Sequence, residues 1–351
     1  MATLSLPSPA RIALIKPSAL GDIVHALPVL SGLRALFPRA HIAWVVNRAY
    51  ADLLAGHPDL DEVLVFDRGA ARAGWRAALA AAWRFQGQLR RAGFDLVLDL
   101  QGLLRSGLMT LATRAPRRLG FANAREGAGW FYTHRVSVPD PEVHAVDRYW
   151  HFMAALGGGD LPKRFVLPRD QSAEAWAAGR LRDWPRPWVA FNLGTRWETK
   201  RWPVAHFAKL AQRVEHDHGG TAILVGGPDE RALGSEFLRQ QPAGVLNLLG
   251  QTSLTQLAAL LRNVDVMVSN DSGPLHLADA LGRPVLAPYT CSSPRLTGPY
   301  HQPGGAVATE VWCAASLVKS CKRMECMAEL TPARLLPRLE ALLAAARLRS
   351  A

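Results

Sequence analysis

The stretch Ser269-Asn270-Asp271-Ser272-Gly273-Pro274-Leu275-His276-Leu277-Ala278 decides how this chain folds. The apolar run at 264–268 before it reads as a buried strand, and Leu275, Leu277, Ala278 and Leu281 set a helical pattern directly after it. Such a strand–turn–helix junction leaves the first backbone N–H groups of the helix without intrahelical partners, all pointing one way. Ser272 and Gly273 let a ligand come close to them, and Pro274, which has no N–H, presets the first turn. An anion, above all a diphosphate, suits such an end. Asp271 or Ser272 acting as a plain helix cap accounts for the same residues.

Outward from that junction, strands and helices alternate. In the first half, strands are expected at 11–16, 41–46, 62–66 and 94–98, with helical patterns at 22–36 and 75–91. A proline- and tryptophan-rich region, 161–187, breaks the rhythm and is expected to hold a linker. The alternation restarts with strands at 188–193, 221–225, 244–248, 264–268 and 284–287, helices at 204–214 and 230–239, and a closing helix at 332–348. This pattern predicts an α/β fold of two doubly wound, Rossmann-like domains, residues 1–170 and 171–351, facing a cleft. The last helix is a candidate to pack back on the first domain. Ligands of such sheets bind beyond the carboxyl ends of the strands, where Asp22, Lys200 and Asp271 are expected.

Composition narrows the partners. The chain has 351 residues, 49% hydrophobic and 20% charged, with a formal net charge of +12. No apolar stretch approaches the roughly 18 residues of a membrane span. Residues 1–11 lack the charged start and apolar core of a secretory signal, so a cytoplasmic location is expected. The arginines are scattered, with a modest concentration from Arg68 to Arg135, and no basic run, ribonucleoprotein motif or zinc-finger spacing points to nucleic acid. The charge instead suits an anionic substrate, one carried on a membrane included. Cys291, Cys313, Cys321 and Cys326 show no recognised zinc spacing and are expected as free, buried thiols.

Four loops carry candidate chemistry. Lys16-Pro17-Ser18-Ala19-Leu20-Gly21-Asp22 follows the first strand and lacks both the G-x-G-x-x-G and the G-K-[ST] patterns. Asp22 there reads as a helix-capping carboxylate or as a general base. Gly194-Thr195-Arg196-Trp197-Glu198-Thr199-Lys200-Arg201-Trp202-Pro203 offers a hydroxyl and a point charge, with Lys200 suited to a departing diphosphate or to a solvated basic loop. Glu230, after Gly226-Gly227-Pro228-Asp229, reads as a ribose contact or a helix-start carboxylate. Asp59-Leu60-Asp61 precedes a strand, at the wrong end of the sheet for a metal–diphosphate site.

Taken in order, these segments resemble bacterial ADP-heptose:lipopolysaccharide heptosyltransferases, glycosyltransferase family 9, and within it the heptosyltransferase I branch. The matching residues are Gly21-Asp22, Asp99-Leu100-Gln101-Gly102 with Arg105-Ser106, Ala124-Arg125-Glu126, His144-Ala145-Val146-Asp147-Arg148, Lys200-Arg201-Trp202-Pro203, and Asp271-Ser272-Gly273 with His276-Leu277. The resemblance implies a GT-B architecture with the acceptor on the first domain and the donor on the second. It implies inverting, metal-independent transfer of heptose from ADP-heptose to the Kdo inner core of lipopolysaccharide, with no cofactor. Under it Asp22 is the catalytic base, Lys200 and Thr195 are phosphate contacts, Glu230 a ribose contact and Asp271 a sugar contact. Ser272, Gly273 and His276 line the diphosphate, and Arg196 and Thr252 complete the donor set. Arg105 and Arg125 suit acceptor phosphates or carboxylates, because a planar guanidinium grips them with two bonds; Ser18, Gly21 and Gln101 join them. The implied partners are an ADP-sugar donor and an anionic lipopolysaccharide-precursor acceptor, with peripheral contact at the cytoplasmic face of the inner membrane and no nucleic acid. The cysteine segment followed by Thr331-Pro332 is similar to second-heptose enzymes. A heptosyltransferase II-like or other GT-B transferase is therefore the alternative within the class, and a non-catalytic basic nucleotide-binding protein is the alternative outside it.

Overall fold

The computed structural model describes residues 6–67, 69, 74–240 and 244–350. Residues 1–5 and Arg68, part of the stretches read above, lie outside the described residues. The chain divides into two compact units, Met1–Pro168 and Arg169–Ala351.

The first unit runs β1 (Arg11–Ile15), α1 (Leu20–Leu36), β2 (His41–Asn47), α2 (Arg48–Ala51), β3 (Glu62–Phe66), α3 (Trp75–Arg91), β4 (Leu96–Asp99), α4 (Leu104–Ala112), β5 (Arg117–Phe121), a 3-10 turn (Ala128–Phe131), β6 (His134–Val136) and α5 (Ala145–Ala155). Its sheet is parallel throughout, in the order β3-β2-β1-β4-β5-β6. Parallel strands are covered on both faces, and their sequences are continuously apolar for that reason; Ile12–Ile15 and Ile42–Val46 are wholly buried. Helix α1 is buried nearly all round and packs against α5, which explains its uninterrupted apolar run.

In the second unit, α6 (Gln171–Leu181) precedes β7 (Trp188–Asn192), α7 (Val204–His218), β8 (Thr221–Leu224), α8 (Arg231–Gln240), β9 (Val245–Asn247) and α9 (Leu254–Asn263). Then come β10 (Val266–Ser269), α10 (Gly273–Ala280), β11 (Val285–Tyr289), α11 (Pro294–Thr297), β12 (Ala306–Ala308), α12 (Glu325–Glu329) and α13 (Pro332–Ser350). The strands order as β12-β11-β10-β7-β8-β9, again parallel. Helix α13 packs on α7, β10 and β11, burying Leu335, Leu339 and Leu343 along one stripe.

The expected strand at 62–66 and helix at 75–91 coincide with β3 and α3. Other boundaries move by one to four residues. The region read as a linker contains a full helix, α6, started by Asp170, whose carboxylate accepts from Ala173 N at 2.7 Å. Strands β5 and β6 escaped the sequence reading because they begin on arginine and histidine and lie toward a sheet edge, where burial is partial.

One packing detail positions the end of β4. Asp99 is wholly buried and accepts from Gln101 N at 2.9 Å, Gly102 N at 3.1 Å and the Tyr132 hydroxyl at 2.7 Å. Burial raises its carboxyl above the ordinary range, and these donors oppose that shift. The Tyr132 ring lies flat against Gly120 of β5, where an added Cβ would stand 2.1 Å from a ring carbon. Gly120→Ala is therefore expected to destabilise the first unit by about 1–3 kcal/mol through overpacking. Thermal denaturation should show a midpoint lowered by about 2–4 °C per kcal/mol; an unshifted midpoint would mean that Tyr132 moves aside without cost.

Candidate active site

Both sheets change direction at one place. The chain proceeds β1, β2, β3 outward and then returns to place β4 on the other side of β1; the second unit does the same with β7, β8, β9 and then β10. Open α/β sheets bind ligands in the crevice at such a switch point, beyond the strands' carboxyl ends. Asp22 and Gln101 follow β1 and β4, whereas Lys200 and Asp271 follow β7 and β10.

In the first unit a polar cavity of about 420 Å³ opens at that point, and Asp22, Gln101 and Arg125 of the expected residues line it. Asp22 is in the first turn of α1. Its Oδ2 accepts from Ala19 N at 3.1 Å and lies 3.5 Å from Lys16 Nζ, while Oδ1 accepts from the Tyr149 hydroxyl at 3.2 Å. The capping role and the cavity-facing role thus coexist in one carboxylate. Its side chain is 41% exposed, so a substrate hydroxyl can reach it. Lys16 is buried; burial lowers its pKa, and Asp22 and Asp99 pull it back up. The Tyr149 phenol is pushed far up by burial and by Asp22, so it stays a donor.

Arg148, Asn123, Lys16 and Tyr149 also line this cavity and were assigned no role from sequence. The signal was present for two of them: Lys16 ends an apolar strand, and Arg148 closes the His144–Arg148 segment. Arg148 donates to Asn123 at 3.0 Å and stacks over Phe121 at 4.6 Å. Ser18 and Gly21 belong to the turn that carries Asp22. Arg105 is exposed on α4 and is not among the cavity's lining residues.

In the second unit Asp271 is nearly buried, 5% exposed, and pairs with Lys200 Nζ at 2.5 Å. His276 Nε2 lies 3.3 Å from its other oxygen and the Tyr289 hydroxyl donates to it at 3.4 Å. Burial alone would raise the Asp271 carboxyl; the His276 and Lys200 contacts overcome that and hold it well below the usual range. Asn270 binds the loop in place, donating to Leu193 O at 2.8 Å and accepting from Trp202 N at 2.9 Å. Trp202 is wholly buried, so this loop is anchored at both ends beside Asp271.

Ser272 precedes α10 in extended conformation but does not cap it through its side chain; its hydroxyl donates to Asn192 at 2.8 Å. The first N–H groups of α10 are accordingly not consumed by that hydroxyl. Gly273 opens the helix, and Thr195 Oγ1 donates to Asp271 O at 3.4 Å. Glu230 Oε2 accepts from Asn192 Nδ2 at 2.9 Å and Gly194 N at 3.1 Å. A Cβ at Gly194 would fall 2.2 Å from the Glu230 carboxyl carbon, and one at Gly226 2.3 Å from its Oε2, so both glycines are required for this approach. Burial, then Asp229, raises the Glu230 carboxyl. Thr252 is half-buried in the loop after β9, and Arg196 is exposed in the loop after β7.

The four cysteines are free, but only Cys291 is buried; Cys313, Cys321 and Cys326 are partly exposed, against the expectation, because they lie at or near a surface cavity. Cys291, Cys313, Cys321 and Cys326 all line one cavity of about 380 Å³ in the second unit. Among the described residues, no three His, Cys, Asp or Glu side chains are disposed to hold a metal ion. The Asp59-Asp61 pair is engaged structurally: Asp59 accepts from Ser31 at 2.7 Å, and Asp61 from Arg34 at 2.6 Å and Ile42 N at 2.7 Å.

Known proteins share this arrangement. Residues 82–327 match the sequence profile of glycosyltransferase family 9 (heptosyltransferase). Lipopolysaccharide heptosyltransferase 1 of Pseudomonas aeruginosa is 31% identical over 95% of this chain and 98% of its own length. The structure of E. coli ADP-heptose lps heptosyltransferase II aligns with a TM-score of 0.74 at 26% identity, covering 95% of this chain and 98% of that one. E. coli heptosyltransferase WaaC with ADP aligns with a TM-score of 0.74 at 26% identity, covering 95% and 99%. Two Rossmann-like sheets of this kind make a GT-B fold. With a profile match over most of its length and a relative aligned almost end to end, the chain belongs to glycosyltransferase family 9 and is a glycosyltransferase.

Proposed function

We propose that the enzyme transfers a heptose from ADP-heptose to the Kdo sugar of the lipopolysaccharide inner core, with inversion and without a metal ion. The observation that carries this is Asp22: a half-exposed carboxylate at the switch point of its sheet, held by Lys16 and Tyr149 in a cavity lined by Arg125 and Arg148. The relatives named for heptosyl transfer support the donor, and the arginine-lined cavity supports an acceptor bearing carboxylates and phosphates.

In this reading the acceptor hydroxyl attacks the anomeric carbon of the donor. Its proton passes to Asp22, the new C–O bond forms, and the bond to the diphosphate breaks with its electron pair leaving on ADP. A weak base suffices because the hydroxyl turns acidic only as that bond forms. Lys16 and the Tyr149 hydroxyl fix the carboxylate in place. The start of α10 and Lys200 stabilise the charge that develops on the diphosphate. Glu230 takes the ribose through Oε1, since Oε2 already accepts two bonds; Thr195, Arg196, Thr252, Ser272, Gly273 and His276 complete the donor set. Arg105, Ser18, Gly21 and Gln101 serve the acceptor.

The enzyme works at the cytoplasmic face of the inner membrane as a peripheral protein. A net charge of +12 and relatives that act on lipopolysaccharide support this, and no described helix is long and apolar enough to cross a membrane. Full-length likeness to a heptosyltransferase 1 favours the first-heptose acceptor. The equal structural likeness to heptosyltransferase II makes that acceptor the second reading.

Three outcomes are expected. With ADP-heptose and Kdo-bearing lipid A, Asp22→Ala should lower turnover at least about 100-fold while ADP affinity by calorimetry stays nearly intact; near-normal turnover would remove Asp22 from the chemistry. Lys200→Ala should weaken ADP-heptose binding at least about tenfold, the loss of one charge-assisted bond; unchanged affinity and rate would place Lys200 outside the donor site. Dialysis against EDTA should leave the rate unchanged, and a loss restored by added divalent ion would overturn the metal-free mechanism.

A further inference from the structure

Helix α3 carries Trp75, Leu79 and Trp83 at intervals of four, so all three project from one stripe. That stripe faces solvent: Trp75 is 72% and Trp83 67% exposed, while Phe85 and Leu89, on a separate face of the helix, supply the core contact. Helix α4 repeats the pattern with Leu104, Leu108 and Leu111, all exposed. The 3-10 turn that packs on α4, with Phe131 against Gly107, adds Trp130 at 88% exposure. Seven of the eleven exposed large apolar side chains among the described residues belong to these three elements.

The topology brings them together. The connections β3-α3-β4 and β4-α4-β5 cross the sheet in the same direction, so right-handed crossovers put both helices on one face. Helices α3 and α4 do pack side by side, whereas α1 and α5 pack together on the other face. The outer surface of the α3–α4 layer is thus apolar over two neighbouring helices, which a soluble monomer rarely leaves open.

The charges on this layer select its occupant. Within α3 and α4 stand Arg76, Arg84, Arg90, Arg91 and Arg105, and there is no aspartate or glutamate in either helix. Arg76 stacks at 5.3 Å on the Trp75 ring, and Arg90 falls on the same side of α3 as the tryptophans. Two acidic groups stand at its margin: Glu126, which accepts from Leu104 N at 3.2 Å, and Asp67, which lines a cavity with Trp83, Arg84 and Arg91 and is paired with Arg48 at 2.8 Å. Tryptophan and leucine bordered by arginine is the composition that settles into an anionic lipid headgroup layer. A second copy fits poorly, since a symmetric pairing would set five arginines against five.

The layer also adjoins the acceptor cavity. Gly102 and Arg125, both lining it, are joined by Arg125 N donating to Gly102 O at 2.9 Å, and α4 begins two residues after Gly102. We propose that the outer face of α3, α4 and the Ala128–Phe131 turn rests on the anionic bilayer, with Trp75, Leu79, Trp83, Leu108 and Trp130 seated among the headgroups. The acceptor's sugar then enters the Asp22 cavity from lipid without leaving the membrane. This rests on the reading of the acceptor as lipid-borne.

The test uses the full chain, vesicles of phosphatidylcholine with or without phosphatidylglycerol, and two variants: Trp75→Ala/Trp83→Ala, and the charge reversal Arg76→Glu/Arg90→Glu. Flotation should recover the wild type with the anionic vesicles only, with a blue shift of tryptophan emission. Each variant should bind at least about tenfold more weakly, keep its melting midpoint, and turn over a deacylated water-soluble acceptor at the wild-type rate while losing rate on vesicle-embedded acceptor. Wild-type protein that ignores anionic vesicles, or variants that bind as well as wild type, would overturn the docking face even if the soluble acceptor is turned over normally. A dimer in sedimentation that Trp83→Glu dissociates would overturn it too, by assigning the face to a second copy. Vesicle binding kept by the wild type and lost in both variants, with neither acceptor turned over by the wild type, would uphold the face and remove the proposed reaction instead.

Discussion

An ionised carboxylate at Asp271, 5% exposed, has few ways to exist. Unpaired, a buried charge costs several kcal/mol, and losing one partner of a buried pair costs about 3–5 kcal/mol. Lys200 at 2.5 Å and His276 at 3.3 Å meet that demand, and the rest of the second unit's site is arranged so that they can. The loop bearing Lys200 leaves β7 and must return over β10. Asn270 secures both of its ends, through Leu193 and Trp202, and the Trp202 indole is sealed into the core by its bond to Leu330 O at 2.6 Å. A cation pre-set beside the start of α10 costs no reorganisation when an anion arrives, which is what electrostatic help to a leaving group requires.

The first unit solves a related problem with opposite exposure. Lys16 is the buried partner and Asp22 the accessible one, so the charge left facing solvent is negative. The two switch points therefore present different chemistry on the same scaffold: an accessible carboxylate after β1, and, in the second unit, a cation after β7 beside the start of α10 after β10, which the Ser272 side chain does not cap. Asp99 stiffens the first by tying the turn after β4 to Tyr132. Glu230 does the same for the second by drawing Asn192 and Gly194 together, at the cost of requiring glycine at two positions.

Much of this was legible in the residues. The expected β3 and α3 coincide with the observed elements because their periodicity is strong and unbroken, and the junction at Asp271 reads correctly because a buried strand meets a helix with a single polar turn between. What stayed hidden had physical causes. Helix α6 is short, with alanines in place of a marked apolar stripe, so the prolines around it dominated the reading. Strands β5 and β6 are half-polar near an edge. Tyr149 lies on a helix face whose neighbours are apolar, and nothing local distinguishes it from a core aromatic.

The sequence by itself determined the strand–helix alternation, the family to which the ordered motifs point, and the placement of Asp22, Lys200 and Asp271 after strands, because burial periodicity and turn chemistry are local properties. Tertiary structure alone decided the pairings. Asp22 meets Tyr149 across 127 positions and Lys200 meets Asp271 across 71. The first closes because α5 packs against α1 and the second because β10 lies beside β7, and such neighbours are set by how whole helices and sheets pack, which no local pattern encodes.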